Sequence, residues 1–370
     1  MTTGTFFYPG PTEVRSEILR AMTQPMIPHR GQAFRDLMAR MQPGLRELFG
    51  TELPVFVSTS TATGLMEAAK RGLRTGPVLC VVNGAFSERF AAIALACGRS
   101  VQRYDVEWGL VPDPSRVNEL LAAGRDGEPF AGLALVHSET STGAMTDVAG
   151  ISEIARTHGV HMLVDSVTGV AGVAFNTDAW GLDFALTGSQ KALALPPGLA
   201  LGVASGRYMA TAGQAPNRGL YLDVVELAKY AEKGETPNTP VIPLLFALDA
   251  QLAAIRSEGL AARFARHARM AEMTYAWVDG WNARTYGAIH LLPPAGARSP
   301  SVSVITLPKG VSATDLVAAV RDRGFVIGTG YGKIRETTFR IGHMGDHTPA
   351  NLERCLGACD AALTHCLASH

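Results

Sequence analysis

The sequence predicts an α/β protein: a mostly parallel central sheet covered by helices, then a smaller α+β C-terminal domain. Three observations predict it. Between residues 54 and 205, short and continuously apolar runs alternate with segments of helical spacing. Strands that are buried on both faces and joined by helical crossovers read this way. Residues 206–242 then turn polar and rich in Gly, Pro and Asn, and the last third mixes alternating strands with helices.

In chain order, 54–57 is the first short strand and 65–73 a helix, and 78–82 with 87–97 repeats the pair. A strand at 101–104 leads to a helix over 113–123. Its start is marked by Asp113 as N-cap and by Pro114 at the first helical position, where a missing N–H is no loss. A strand over 131–136 and a helix over 148–158 precede two apolar strands, 160–165 and 182–188; 200–204 closes the series. A short helix falls near 223–231. Leu248, Leu252, Ile255 and Leu260 have the spacing of one long helix over 243–281. Strand 301–307, helix 313–321, strand 337–341 and helix 350–366 complete the pattern. The expected organisation is an N-terminal segment 1–20, a large domain 21–255 and a small domain 256–370, with the change of domain inside the long helix.

A chain of 370 residues favours two domains. Hydrophobic content of 47% against 18% charged describes a well-buried globular protein and excludes a disordered one. Lys+Arg and Asp+Glu both count 33, and no basic run occurs, so no nucleic-acid partner is expected. Zero net charge with high apolar content favours a buried subunit interface. The five cysteines, Cys80, Cys97, Cys355, Cys359 and Cys366, include no CxxC pair and suggest neither a disulfide framework nor a metal cluster. Cys80 and Cys97 read as buried thiols. A reducing, cytoplasmic location is expected. The N-terminus does not resemble a signal peptide, and the longest apolar segment, 192–204, is broken by Pro196, Pro197 and Gly198, so no membrane span is expected.

The most informative residues are Lys191, just past the strand ending at Gly188, and Asp165, at the end of the strand before it. In a parallel sheet both tips open on one edge, where ligand sites lie. Either residue alone reads as a solvated loop lysine or a turn-capping aspartate. Together they suit pyridoxal 5'-phosphate: a lysine forms a Schiff base with its aldehyde, and a carboxylate keeps its pyridine nitrogen protonated.

Further motifs stand in a definite order. Tyr8-Pro9-Gly10-Pro11-Thr12 and Pro28-His29-Arg30-Gly31 come first, then Ser60-Thr61-Ala62-Thr63-Gly64 with Glu67, and Asn83-Gly84-Ala85-Phe86. His137 through Gly143, Val164-Asp165-Ser166-Val167, Ser189-Gln190-Lys191-Ala192-Leu193 and Phe339-Arg340-Ile341-Gly342 follow. In these motifs and their order the chain resembles the class V aminotransferases, fold-type I enzymes dependent on pyridoxal phosphate, and within them the alanine–glyoxylate and serine–glyoxylate (serine–pyruvate) group.

The resemblance implies transfer of an amino group from a small amino acid, alanine or serine, to a 2-oxo acid such as glyoxylate or pyruvate. It implies that Lys191 is the cofactor-linked lysine and proton carrier, that Asp165 holds the pyridine N–H⁺, and that Thr140 meets the phenolic oxygen. It places the phosphate at Thr61, Ala62 and Thr63, with Gln190; a helix N-terminus is an anion site on physical grounds as well. Relatives use smaller residues at the two threonines. Phe86 aligns with the ring that stacks on the cofactor, where relatives often carry Trp. Arg340 is the expected carboxylate receptor, since a planar guanidinium grips a carboxylate bidentately, and Gly10 lies in the N-terminal segment that contributes to the substrate site. The resemblance also implies a homodimer with shared sites, Thr239 reaching the partner's phosphate. Relatives often carry Tyr three residues before it, where this chain has Thr236.

Two alternatives use the same fold. A desulfurase-type lyase needs a cysteine ahead of the substrate arginine, and none lies between Ser301 and Arg340. An aminotransferase for 2-aminoethylphosphonate or phosphoserine needs a second cation, for which Lys333 and Arg335 are the expected candidates. His343 and Asp346 are expected near the mouth of the site, without an assigned role. A dinucleotide-binding protein is excluded by the absence of GxGxxG after the first strand.

Overall fold

The computed structural model describes residues 4–368. Residues 1–3 of the expected N-terminal segment and 369–370 of the expected small domain lie outside the described residues. The strands are β1 (Phe56–Ser58), β2 (Val78–Val82), β3 (Val101–Asp105), β4 (Gly132–Val136), β5 (Ser138–Glu139), β6 (Ala144–Met145), β7 (His161–Asp165), β8 (Phe184–Gly188), β9 (Ala200–Ala204), β10 (Val302–Thr306), β11 (Gly328–Thr329) and β12 (Thr338–Gly342). The helices are α1 (Ser16–Ala21), α2 (Gln32–Phe49), α3 (Ala62–Arg71), α4 (Ala85–Ala96), α5 (Pro114–Ala123), α6 (Val148–Thr157), α7 (Gly206–Ala212), α8 (Val224–Glu232), α9 (Ile242–Glu258), α10 (Leu260–Arg284), α11 (Ala313–Asp322) and α12 (Pro349–Ala368). Where an element was expected, its ends differ by a few residues, as fraying ends do.

The central sheet has the order β1-β9-β8-β7-β4-β2-β3. All neighbours pair in parallel except β9, which runs antiparallel to both β8 and β1. Apolar strands looked continuous because both faces are covered. Along β2, Leu79 and Val81 enter one core, with α2 and α9. Val78, Cys80 and Val82 enter the other, with α3 and α4. A third core joins α10, α11, α12 and the three-stranded sheet β10-β12-β11. Asp113 caps α5 as expected: its carboxylate accepts from the Ser115 N–H at 3.0 Å, a bond worth about 1 kcal/mol.

Four expectations fail. The helix over 243–281 is two helices, broken at Gly259, whose φ of +82° a helix cannot contain. No element was expected over 21–53, yet α2 runs through Pro43 there; it is held by the buried side chains Phe34, Leu37, Met38, Met41, Leu45 and Leu48. Tertiary packing outweighs the lost helical bond. Residues 206–212, expected as irregular, form α7, capped by the Ser205 hydroxyl accepting from Tyr208 N–H at 3.0 Å. Cys97 is also not buried; it ends α4 and is half-buried.

The N-terminal segment laces the third core to the central sheet. Phe7 is buried in that core, and its carbonyl accepts from Gly342 N–H at 2.8 Å. A few residues on, Thr12 N–H donates to the Gln190 carbonyl at 2.9 Å.

Candidate active site

Asp165 ends β7, and Leu186 lies opposite it on parallel β8. Both strand tips therefore open on one edge of the sheet. The turn after β8 is pinned from several sides. The Ser189 hydroxyl donates to Pro196 O at 2.7 Å. The Lys191 carbonyl accepts from the Thr12 hydroxyl at 2.9 Å, and the Ala192 carbonyl from Arg263 at 2.7 Å. With its backbone fixed, Lys191 sends a buried ammonium to the Pro9 carbonyl, and Thr140 Oγ1 lies 3.4 Å away. Gly10 makes this approach possible. Its φ is +137°, and a Cβ there would stand 2.5 Å from the Lys191 Nζ. Burial, and then the charge of Arg340, bring the lysine down to about 7.

Asp165 is 2% exposed and accepts one hydrogen bond, from Val167 N–H at 2.8 Å. Burial pushes its carboxyl up to about 7. A carboxylate so buried and so poorly bonded is costly unless a cation meets it. Asp165 and Lys191 share a cavity of about 190 Å³ with Thr61, Ala62, Thr63, Phe86, Thr140 and Gln190. Thr61 is the N-cap of α3 but makes no side-chain cap bond, so the helix presents its first N–H groups uncapped.

Phe86 sits in the first turn of α4. Its ring centroid is 5.6 Å from Lys191 Nζ and 5.3 Å from the ring of Tyr331, at an interplanar angle of 28°. The start of α4 is fixed by Glu139, which is fully buried. Its carboxylate accepts from Phe86 N–H at 3.1 Å, Ser87 N–H at 2.9 Å and the Ser141 hydroxyl at 2.6 Å. It thus serves as a helix cap supplied by another strand. Arg340, on β12, is 4% exposed and donates to the carbonyls of Thr329 (2.8 Å) and Thr140 (3.3 Å). No carboxylate pairs with it among the described residues. Burial lowers its pKa.

Several sequence expectations fall elsewhere. Thr239 is exposed and lines a separate groove with Val57, Thr59 and Tyr221, its hydroxyl 3.5 Å from His29 Nε2. His343 and Asp346 do not line the mouth. His343 is buried against the Ser303 hydroxyl at 3.0 Å, and Asp346 pairs with Arg263 (2.9 Å) and Arg15 (2.7 Å). The expected extra cations are committed outside the cavity: Arg335 pairs with Glu336 at 3.4 Å, and Lys333 lies 4.6 Å from the Trp108 ring centroid. Three residues escaped the sequence reading: Thr168, whose hydroxyl meets that of Thr140 at 2.5 Å, Glu139 and Arg89. Arg89 was detectable, since it follows Phe86 by three residues on one helix face.

The family model described as aminotransferase class-V matches residues 8–334. The chain is 34% identical to the L-aspartate–glyoxylate aminotransferase of Paracoccus denitrificans, over 93% of this chain and 87% of that protein. It is 30% identical to the serine–glyoxylate aminotransferase of Methylorubrum extorquens, over 96% and 90%. The crystal structure of an alanine–glyoxylate aminotransferase from Nostoc sp. superposes with a TM-score of 0.89 at 29% identity, covering 98% of this chain and 96% of that one. The chain belongs to the class V aminotransferases.

Proposed function

We propose that this class V aminotransferase holds pyridoxal 5'-phosphate in the Lys191 cavity and transfers the amino group of alanine or serine to glyoxylate or pyruvate. The observation that carries the reading is Asp165: a carboxylate, buried and singly bonded, that faces the same cavity as a buried lysine. A protonated ring nitrogen is the partner that this carboxylate lacks. The uncapped start of α3, with Thr61, Ala62, Thr63 and Gln190, suits a phosphate. Phe86 suits stacking on a flat ring, and the Thr140 hydroxyl suits a phenolic oxygen. When bound, the cofactor supplies an aldehyde for the amino group and a ring that withdraws electrons from the amino acid Cα.

The chain's own residues do the rest. Arg340 grips the α-carboxylate and orients Cα towards Lys191. Lys191 carries the proton on and off Cα; burial holds it near 7, where a base works best at neutral pH. Asp165 keeps the ring nitrogen protonated throughout. The α-carboxylate supplies the anion that the buried Arg340 otherwise lacks. The names of the relatives, which cover serine, alanine and aspartate as donors and glyoxylate as acceptor, support the substrate class.

The test is a donor and acceptor panel: alanine, serine and 2-aminoethylphosphonate, each against glyoxylate and pyruvate. Alanine or serine with glyoxylate is expected to turn over. Turnover of the phosphonate alone, which has no α-carboxylate for Arg340, would overturn the reading. Arg340→Lys keeps the charge but loses the fork. It is expected to raise KM for the amino acid about 10- to 100-fold, the range for a charged hydrogen bond, with cofactor content unchanged. A normal KM with lost cofactor would make Arg340 structural.

The active unit in this reading is a homodimer in which Thr239 serves the partner's site. Its exposure, away from its own chain's cavity, supports this. A Lys191→Ala chain refolded with a Thr239→Arg chain puts both lesions in one site of the heterodimer and leaves the other intact. Recovered activity is expected. No recovery would mean that Thr239 serves its own chain.

A further inference from the structure

We propose that Arg89 is a second carboxylate receptor of this site, so that the enzyme accepts a dicarboxylic donor such as aspartate as well as small neutral amino acids. The proposal rests on the reading above and adds the far end of the substrate to it.

Arg89 lines the same cavity as Lys191. It lies on the face of α4 that carries Phe86, and its guanidinium packs 5.1 Å from that ring's centroid. Its Nη2 reaches the Tyr331 hydroxyl at 3.4 Å. The Tyr331 ring in turn carries the guanidinium of Arg340, 5.4 Å from its centroid. The two arginines are thus held on one stacked Phe86–Tyr331 pair, Arg340 deep and Arg89 at the exposed rim.

No carboxylate among the described residues pairs with Arg89. Its neighbour Glu88 is the natural candidate, yet it faces Arg103 at 3.4 Å, which also takes Asp105 at 2.6 Å. Lys333 and Arg335 are committed elsewhere. Two planar forks on one aromatic stack, one for each end, suit a molecule with two carboxylates. A donor with a single carboxylate leaves Arg89 in water. An exposed arginine loses little that way, so alanine and serine remain substrates.

The test uses the cofactor-loaded enzyme as wild type, Arg89→Met and Arg89→Lys. Calorimetric titration with maleate, a dicarboxylate without an amino group, is compared with propanoate. Maleate is expected to bind about 2- to 5-fold more tightly than propanoate in the wild type, the range for one further charged pair at an exposed rim. The Met variant should lose that preference, and the Lys variant should keep part of it. In parallel, the ratio of kcat/KM for aspartate to that for alanine should fall in the Met variant by a similar factor.

Equal binding of the two acids by the wild type, or a preference that survives in the Met variant, would overturn the assignment. So would O-phosphoserine outpacing aspartate, since the rim would then be built for a phosphate. If alanine and serine turn over normally while these results fail, only the role of Arg89 falls. If no amino acid turns over, the underlying reading falls with it.

Discussion

Replacing Lys191 by alanine is expected to abolish transamination while the protein stays folded. The ammonium is buried, and burial holds it near 7. Its removal relieves a desolvated charge and opens space beside Gly10, so the fold has little to lose. The reaction loses the group that carries the proton at Cα. A loss of about 10⁴-fold or more is expected, the upper end for a positioned proton-transfer group. A second measurement is independent of turnover. Borohydride treatment of the loaded wild type, followed by peptide mass mapping, should leave the cofactor attached at Lys191, and the alanine variant should carry none. Attachment at Lys70, which is also buried and also lowered, to about 8, would overturn the assignment.

The second large effect is expected from Asp165→Asn. A neutral amide cannot hold the ring nitrogen protonated. Loss of such an electrostatic partner costs about three orders of magnitude in rate, or about 4 kcal/mol. Near-normal turnover in the Asn variant would remove Asp165 from the mechanism.

The same substitution has a signature in stability. In the folded, cofactor-free chain, burial raises the Asp165 carboxyl from 3.8 to about 7. The folded state therefore binds more protons than the unfolded one between these values, and this group's contribution to stability falls as pH rises through that window. Asparagine removes the titration. In cofactor-free protein, the melting temperature of the Asn variant relative to wild type should rise from about pH 5 to about pH 8. With the cofactor bound the advantage should vanish, because the carboxylate then has its cation. An advantage independent of pH would mean that Asp165 is not the titrating group.

The sequence by itself determined the alternation of strands and helices from 54 to 205, because strands covered on both faces need an unbroken apolar run and their crossovers need a helical stripe. The pairing of Lys191 with Asp165 was legible for the same reason: two consecutive parallel strands must end on one edge, whatever surrounds them. Thr61, Ala62, Thr63, Phe86, Thr140 and Gln190 came from motif order, and the fold brings them to the same cavity. Tertiary structure alone decided the rest. The antiparallel insertion of β9 depends on which edge the chain returns to. Periodicity does mark α2, whose Phe34, Leu37, Met38, Met41, Leu45 and Leu48 repeat at helical spacing, but its passage through Pro43 is decided by the packing of that face against α9. The positive φ at Gly259 splits the expected long helix in two, a break that the spacing of its apolar residues does not register. Glu139 caps a helix more than fifty residues away in sequence, and Tyr331 joins Arg89 to Arg340 across two cores. Contacts between residues so far apart leave no local periodic trace, since they exist only once the strands and helices that carry them are assembled.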